Sequence, residues 1–285
     1  MKKRQYYQRQ REELASKYEG LLFSKIKAKQ SNLYLRLMAI LEAIKVDEKG
    51  FIVFDVKNVS LIKDVNLTLD AFSQTESDLA VWVGSRVKKL LGLNALYFQS
   101  FIEFNYDKIN KRALQVVMAQ LGFNSKQEKL IPGGFLDNLK AGQAIKMQTG
   151  KLISDAMAAN QSLGEFRKNF RTIFVNPNGM GILERHYATV TTDLFQKYDR
   201  QINNTYATEL KLNNAIYSGT VIETSRPFCI ARNGKVFTRD EILSWKNLEF
   251  AGKPKNYNPV TDCGGYNCRH HLSWISDELA AELKK

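Results

Sequence analysis

The chain has 285 residues, 44% of them hydrophobic and 25% charged, a balance that supports a buried core and excludes a disordered chain. That length fits roughly two domains, and no apolar run approaches the ~20 residues needed to span a bilayer. Lysine and arginine outnumber acids 42 to 29, a formal net charge of +13, which suits a polyanionic neighbour (nucleic acid, an acidic protein surface or anionic lipid) and is equally met by solubility alone.

The basic start MKKRQYYQRQREEL is not followed by an apolar stretch, so no signal peptide is expected and the expected folding compartment is a cytoplasm. Residues 5–46 read as one long helix: Leu14, Tyr18, Leu21, Leu22, Ile26, Leu33, Leu37, Ile40, Leu41 and Ile44 recur at three- and four-residue steps without proline. Lys25, Lys27 and Lys29 crowd its other positions. They form either a solvated face or a docking face for DNA or an acidic partner. GFIVFDV (50–56) alternates weakly, as a short strand or buried turn. From about 58 to 121 the pattern is helical, on faces marked by Val59, Ile62, Val65 and Leu69 and then Leu79, Val83, Val87, Leu90 and Leu91. Gly84, Gly92 and Gly122 are the expected soft points or ends. Trp82, Phe98, Phe101 and Phe104 fall at helical spacing, where aromatics serve a core more often than a stacking surface.

Pro132 with Gly133 and Gly134 breaks the chain, and Asp137 opens the next candidate helix. Two glycines without a following Lys-Ser/Thr pair make a turn and not a phosphate loop. A helical block is expected from about 135 to 174, then punctuation at NPNG (176–179). A long helix follows from about 181 to 212, lined by Ile182, Tyr187, Val190, Leu194, Tyr198, Ile202, Tyr206 and Leu210. Beyond Asn214, AIYSGTVIET (215–224) reads as a strand, Lys235–Phe237 as another, and TRDEILSW (238–245) as a helix with Thr238 as N-cap and Glu241 closing a capping box. A loop, the cysteine cluster and a short terminal helix complete the chain. The expected fold is mainly α with a small α+β carboxy-terminal unit, divided as a helical domain (1–132), a helical region with a long connecting helix (133–212) and a compact Cys/His-containing unit (213–285).

All three cysteines, Cys229, Cys263 and Cys268, lie in the last fifth of the sequence beside His270 and His271. An odd count in a reducing compartment argues against a disulfide framework. Cys229, Cys263 and Cys268 with His270 or His271, of which His271 is taken, make a candidate zinc set, although Cys-x4-Cys is not the preferred spacing. Buried cysteines with histidines bonded to loop carbonyls are the alternative. Arg226 and Arg269 accompany Cys229 and Cys268. They are expected either to bind phosphate or to clamp carboxylates such as Glu223 and Asp262, and Lys235 is expected in solvent.

The segments ETSRPFCIARNGKVFTRDEILSW (223–245) and NPVTDCGGYNCRHHLSWIS (258–276) resemble the carboxy-terminal domain of Mu F-like phage head-morphogenesis proteins. In that family a long helix and a strand lead into an Asp/Glu-x-x-Arg-x-x-Cys-like element, then a Gly-Lys-Val-Phe-type turn and a Pro-x-Cys-Arg-Cys-like close. Glu223, Arg226 and Cys229 match the first element; Gly234, Lys235, Val236 and Phe237 match the turn; Asn267, Cys268 and Arg269 match the close. His270 stands where the second closing cysteine is expected, and a Cys-Gly-Gly-Tyr insert precedes Cys268. The match covers about the last hundred residues.

The resemblance implies a minor head protein that is not an enzyme. Such a protein assembles in a host cytoplasm into the virion in multiple copies, beside the portal or major capsid protein and the packaged DNA, with no membrane partner. No nucleotide-binding loop is read, and the tail SWISDELAAELKK holds no histidine or asparagine to complete a His-Asn-His nuclease site. A cysteine hydrolase pairing Cys229 or Cys268 with His271 lacks any marker of an activated thiol. A nucleic-acid-binding module with a zinc-stabilised tip is the alternative function.

Overall fold

The leucine-rich stripe of the first segment folds into a single helix, α1 (Lys2–Leu41), in the computed structural model, which describes residues 2–124, 126, 129–176, 179–191 and 193–284. Tyr18, Leu22, Ile26, Leu33, Leu37 and Leu41 are buried at the expected steps, while the adjacent Leu21 faces solvent. The helix stops five residues short of the expected end. Ile44 still packs inward from the loop beyond it, where Asn58 accepts from Lys45 N (2.8 Å) and donates to Lys45 O (2.9 Å). GFIVFDV forms isolated bridges, Val46–Ile52 and Phe51–Ser162, and leaves Phe54 and Val56 more than 80% exposed.

Helix α2 (Val56–Gln99) includes both Gly84 and Gly92. Gly84 is no soft point: a Cβ there would lie 2.8 Å from the Phe123 ring, so glycine serves close packing. Gly122 does end a helix, capping α3 (Tyr106–Leu121) at φ 87°. Of the four aromatics, Phe98 is fully buried and Phe104 is 54% exposed. The block expected over 135–174 is three helices: α4 (Phe135–Asn138), α5 (Gly142–Ala158) and α6 (Leu163–Phe174). Asp137 accepts from Gly133 N across the first break, and Ser162 caps α6 by accepting from Glu165 N. The helix expected over 181–212 is two, α7 (Ile182–Thr191) and α8 (Leu194–Glu209). Pro177 and Asn178 of NPNG lie outside the described residues, as does the side chain of Val190.

The remainder is β1 (Asn214–Ser218), α9 (Pro227–Arg232), β2 (Val236–Thr238), α10 (Arg239–Ser244), α11 (Pro259–Asp262), β3 (His271–Ile275) and α12 (Asp277–Leu283). The strand expected over 215–224 ends at Ser218. The capping box at Thr238 and Glu241 is formed. The sheet is antiparallel in the order β2-β1-β3, with Ala215 opposite both Phe237 and Trp274. The fold is thus mainly α with a small α+β carboxy-terminal part. Among the described residues no helix is long and apolar enough to cross a membrane.

Two compact units are built from discontinuous stretches, 1–20, 84–127 and 190–285 in one, 21–83 and 128–189 in the other. In the second, Phe166, Phe170 and Phe174 are fully buried on one face of α6, and Tyr34 stacks on Phe170. Glu76 of α2 accepts from Ala141 N, Gly142 N and Tyr187 Oη at 2.6–3.1 Å, satisfying the otherwise orphaned amides at the start of α5. In the first, Phe98 stacks on Tyr206 of α8, and α8 carries the residues that brace the carboxy-terminal loops.

Candidate metal centre

Cys229 stands on α9, a six-residue helix started by Pro227 at its first turn. Cys268 and His270 stand on the loop between α11 and β3. That loop is held by Arg200 of α8, whose guanidinium is fully enclosed and donates to the carbonyls of Thr261 (2.8 Å), His270 (3.0 Å) and Cys268. Asp193, just before α8, accepts from Asn267 N at 3.0 Å. Asn267 adopts φ 57° and Cys263 φ 50°. Such values cost non-glycine residues about 1–3 kcal/mol each and persist only where surroundings enforce them.

The result is a group of three. Cys229 Sγ and Cys268 Sγ are 3.8 Å apart, Cys268 Sγ and His270 Nδ1 are 3.8 Å apart, and ligand atoms of all three residues lie within 4.8 Å of one another. All three side chains are buried, and the three cysteines are unpaired as disulfides. A tetrahedral ion with metal–sulfur bonds of about 2.3 Å requires sulfurs about 3.8 Å apart, so the two thiols already stand at the edge length of such a site. Cys229, Cys268 and His270 could hold a metal ion.

Hydrogen bonding prepares Cys268 as the anionic member. Its sulfur shares a hydrogen bond with the Cys229 sulfur and receives the backbone amides of Gly264 (3.2 Å) and His270 (3.4 Å). Despite burial, these donors and the Arg200 charge hold the Cys268 thiol well below its usual range, while the same hydrogen bond and burial push the Cys229 thiol up. Tyr217 of β1 donates to Cys229 Sγ (3.3 Å), and its ring stacks on His270 at 5.1 Å between centroids. A Cβ on Gly264 would stand 2.2 Å from Cys229 Sγ, so the glycine insert before Cys268 lets the backbone pass the sulfurs.

No protein-family model, curated protein or solved structure matches this chain.

The four residues expected to share a zinc ion therefore do not all meet. Cys229 and Cys268 do. Cys263 Sγ turns to the Val260 carbonyl (3.9 Å), and burial raises its thiol. His271, the first residue of β3, faces the opposite way from His270, with Nδ1 3.6 Å from Asp199. Burial beside Arg200 pushes its imidazole down to about 3. The motif arginines take partners other than Glu223 and Asp262. Arg226 donates to the carbonyls of Gly264 (3.2 Å) and Tyr266 (2.6 Å), and Arg269 pairs with Glu19 of α1. Asp262 pairs instead with Lys197 (3.0 Å), and Glu223 is exposed. Gly234 makes the turn after α9 at φ 79°, and Lys235 is exposed as expected.

On α1, Lys25 lies 5.4 Å from the centre of the Trp82 ring and Lys27 is exposed. Lys29 donates to Thr75 O and Thr75 Oγ1, both at 3.0 Å, so it serves an internal contact and not a free docking face. Arg200 and Tyr217 were not singled out from sequence. An arginine and a tyrosine on otherwise ordinary helix and strand patterns give no signal of what they brace.

Proposed function

We propose that this chain is a structural component of a tailed-phage head. It acts as a minor head or portal-associated protein in head morphogenesis and in DNA packaging or release, with a zinc ion on Cys229, Cys268 and His270 fastening its carboxy-terminal loops. The reading rests on the resemblance of residues 223–245 and 258–276 to the Mu F-like domain. One observation supports it above the others: three of the matched residues, Arg226, Gly234 and Arg269, fasten the fold. Arg226 clamps the Gly264–Tyr266 turn, Gly234 turns the chain into β2, and Arg269 ties the closing segment to Glu19 on the long first helix. A motif spent on internal fastening suits an assembly component whose long helices offer docking surfaces. Zinc suits two thiols and an imidazole near tetrahedral spacing.

The test is quantitative mass spectrometry of heads purified from the producing phage. The expected result is this chain at a low, fixed ratio to the major capsid protein. Absence from both immature and mature particles overturns the reading. The net charge of +13 favours one alternative, a nucleic-acid-binding module with a zinc-stabilised tip. Its signature is DNA binding by the purified chain that weakens steeply with salt.

A further inference from the structure

Several groups of the protein already crowd the candidate centre. Tyr217 Oη, 3.3 Å from Cys229 Sγ and 3.6 Å from Cys268 Sγ, covers the two sulfurs, and two backbone amides occupy Cys268 Sγ. Of the residues that composition nominates for a fourth bond, Cys263 is directed at Val260 and Asp262 pairs with Lys197, while His271 Nδ1 and Asp193 Oδ1 are buried without a hydrogen-bond partner among the described residues and stand outside the cluster of possible ligands. Among the described residues, the cluster of possible ligands numbers three.

Cys229, Cys268 and His270 also form part of the wall of a surface cleft of about 290 Å³. The rest of its wall is Ile222 with the polar Thr220, Thr224, Ser225 and Asn267, and with Arg226 and Arg269, whose guanidiniums also hold the Gly264 and Tyr266 carbonyls and Glu19. His270, only 3% exposed, has its Nε2 atom buried with no hydrogen-bond partner among the described residues. A histidine that ligates through one nitrogen ordinarily donates from the other to a carboxylate, carbonyl or water. No described residue supplies that partner.

We infer that a metal ion bound at Cys229, Cys268 and His270 takes its fourth ligand from this cleft, as a water that a small oxyanion such as a carboxylate or phosphate displaces. The inference rests on the metal reading above and goes beyond it. A fully closed site would serve as a fastener alone, whereas three protein ligands and one open position make a centre that binds exogenous ligands. The hydroxyl, amide and guanidinium groups of the cleft select anionic oxygen over thiols or amines.

The test uses the full chain loaded with Co²⁺ in place of zinc. Thiolate-to-cobalt charge transfer counts bound sulfurs, and the d–d bands report the fourth ligand. Two thiolates' worth of charge transfer is expected, unchanged in Cys263→Ser. The d–d bands should shift saturably as acetate or inorganic phosphate is added, and whichever anion shifts them identifies the preferred oxyanion. Bands indifferent to both anions overturn the inference while leaving the metal site standing. So does a loss of one third of the charge-transfer intensity in Cys263→Ser, which would make Cys263 the fourth ligand. Failure to bind cobalt or zinc at all removes both readings together.

Discussion

Arg200 is far from the cysteines in sequence and against them in space, where its bonds to the carbonyls of Thr261 in α11 and of Cys268 and His270 in the loop set the positions of Cys268 and His270. Gly264 acts at the same scale by what it lacks. With a Cβ 2.2 Å from Cys229 Sγ, Gly264→Ala must displace either the loop or the sulfur. Its zinc affinity, measured by competition with a chelator, is expected to fall by about 10–100-fold, the range seen when groups that orient metal ligands are disturbed. Unchanged affinity would mean that the two sulfurs do not share an ion. His270 and His271 show why the site was only partly legible. Adjacent residues at a strand's start point opposite ways, and only the strand's register, which composition does not reveal, decides which imidazole meets Cys268.

A second residue-scale prediction concerns Asp199. Its carboxylate accepts from Arg11 Nε (3.1 Å), Arg11 Nη2 (2.9 Å) and Asn94 Nδ2 (2.7 Å), with both charged side chains fully buried. Burial alone would raise its pKa. The Arg11 charge and hydrogen bonds outweigh that, helped by His271 and Asn94, and hold the carboxyl below the usual range. A carboxyl depressed in the folded state stabilises above its unfolded pKa, and that contribution is lost as pH falls through the folded value. Denaturation midpoints should therefore drop below about pH 4 in the wild type. Asp199→Asn should be less stable at neutral pH by about 3–5 kcal/mol, because Arg11 is left buried and unpaired. It should also lose this part of the acid sensitivity. Parallel pH profiles for the two proteins would contradict the assignment.

At the scale of elements, the helices that announced themselves are those whose stripe is long. In α1 and α2 the apolar positions repeat over many turns. What the stripe hid is that Arg11, Glu76 and Asn94 also lie among the buried residues. Polar residues at such positions read as interruptions until their partners on other segments are known. Two short elements, α9 and β3, are not legible in the sequence, for opposite reasons. Helix α9, PFCIAR, is too short to show a period. Strand β3, HLSWI, is buried at all five positions and so lacks the alternation of a half-exposed strand. Tertiary packing also split what the pattern ran together: α5 ends near Asn160 at φ 50°, and α8 begins anew at Leu194.

The lysines of α1 give the prediction proper to this scale. Lys29→Glu should destabilise the protein by about 1–3 kcal/mol through loss of the two bonds to Thr75. Lys27→Glu, on the exposed side, should stay within about 0.5 kcal/mol of the wild type. Thermal unfolding of the two single variants distinguishes them, and equal effects would contradict the assignment. A charge reversal aimed at an acidic partner or DNA is therefore cleaner at Lys25 and Lys27 than at all three positions.

For the molecule as a whole, the composition was informative about class and silent about arrangement. The mainly α chain with a small α+β end was legible from periodicity. The assembly of each compact unit from separated stretches was not, because long helices contribute to both units and a contiguous reading cuts between helices. The carboxy-terminal part lies within the first of those units, and its sheet has only three strands. A metal ion bridging α9 to the loop before β3 would add binding energy directly to folding there.

Zinc fastening of this part of the chain is checked by native mass spectrometry of the full chain, purified without chelator. One zinc ion per chain is expected, lost in Cys268→Ser and in His270→Ala but retained in His271→Ala, provided circular dichroism shows each variant folded. A wild-type mass without metal, together with a melting temperature unmoved by added zinc or by chelator, would contradict it.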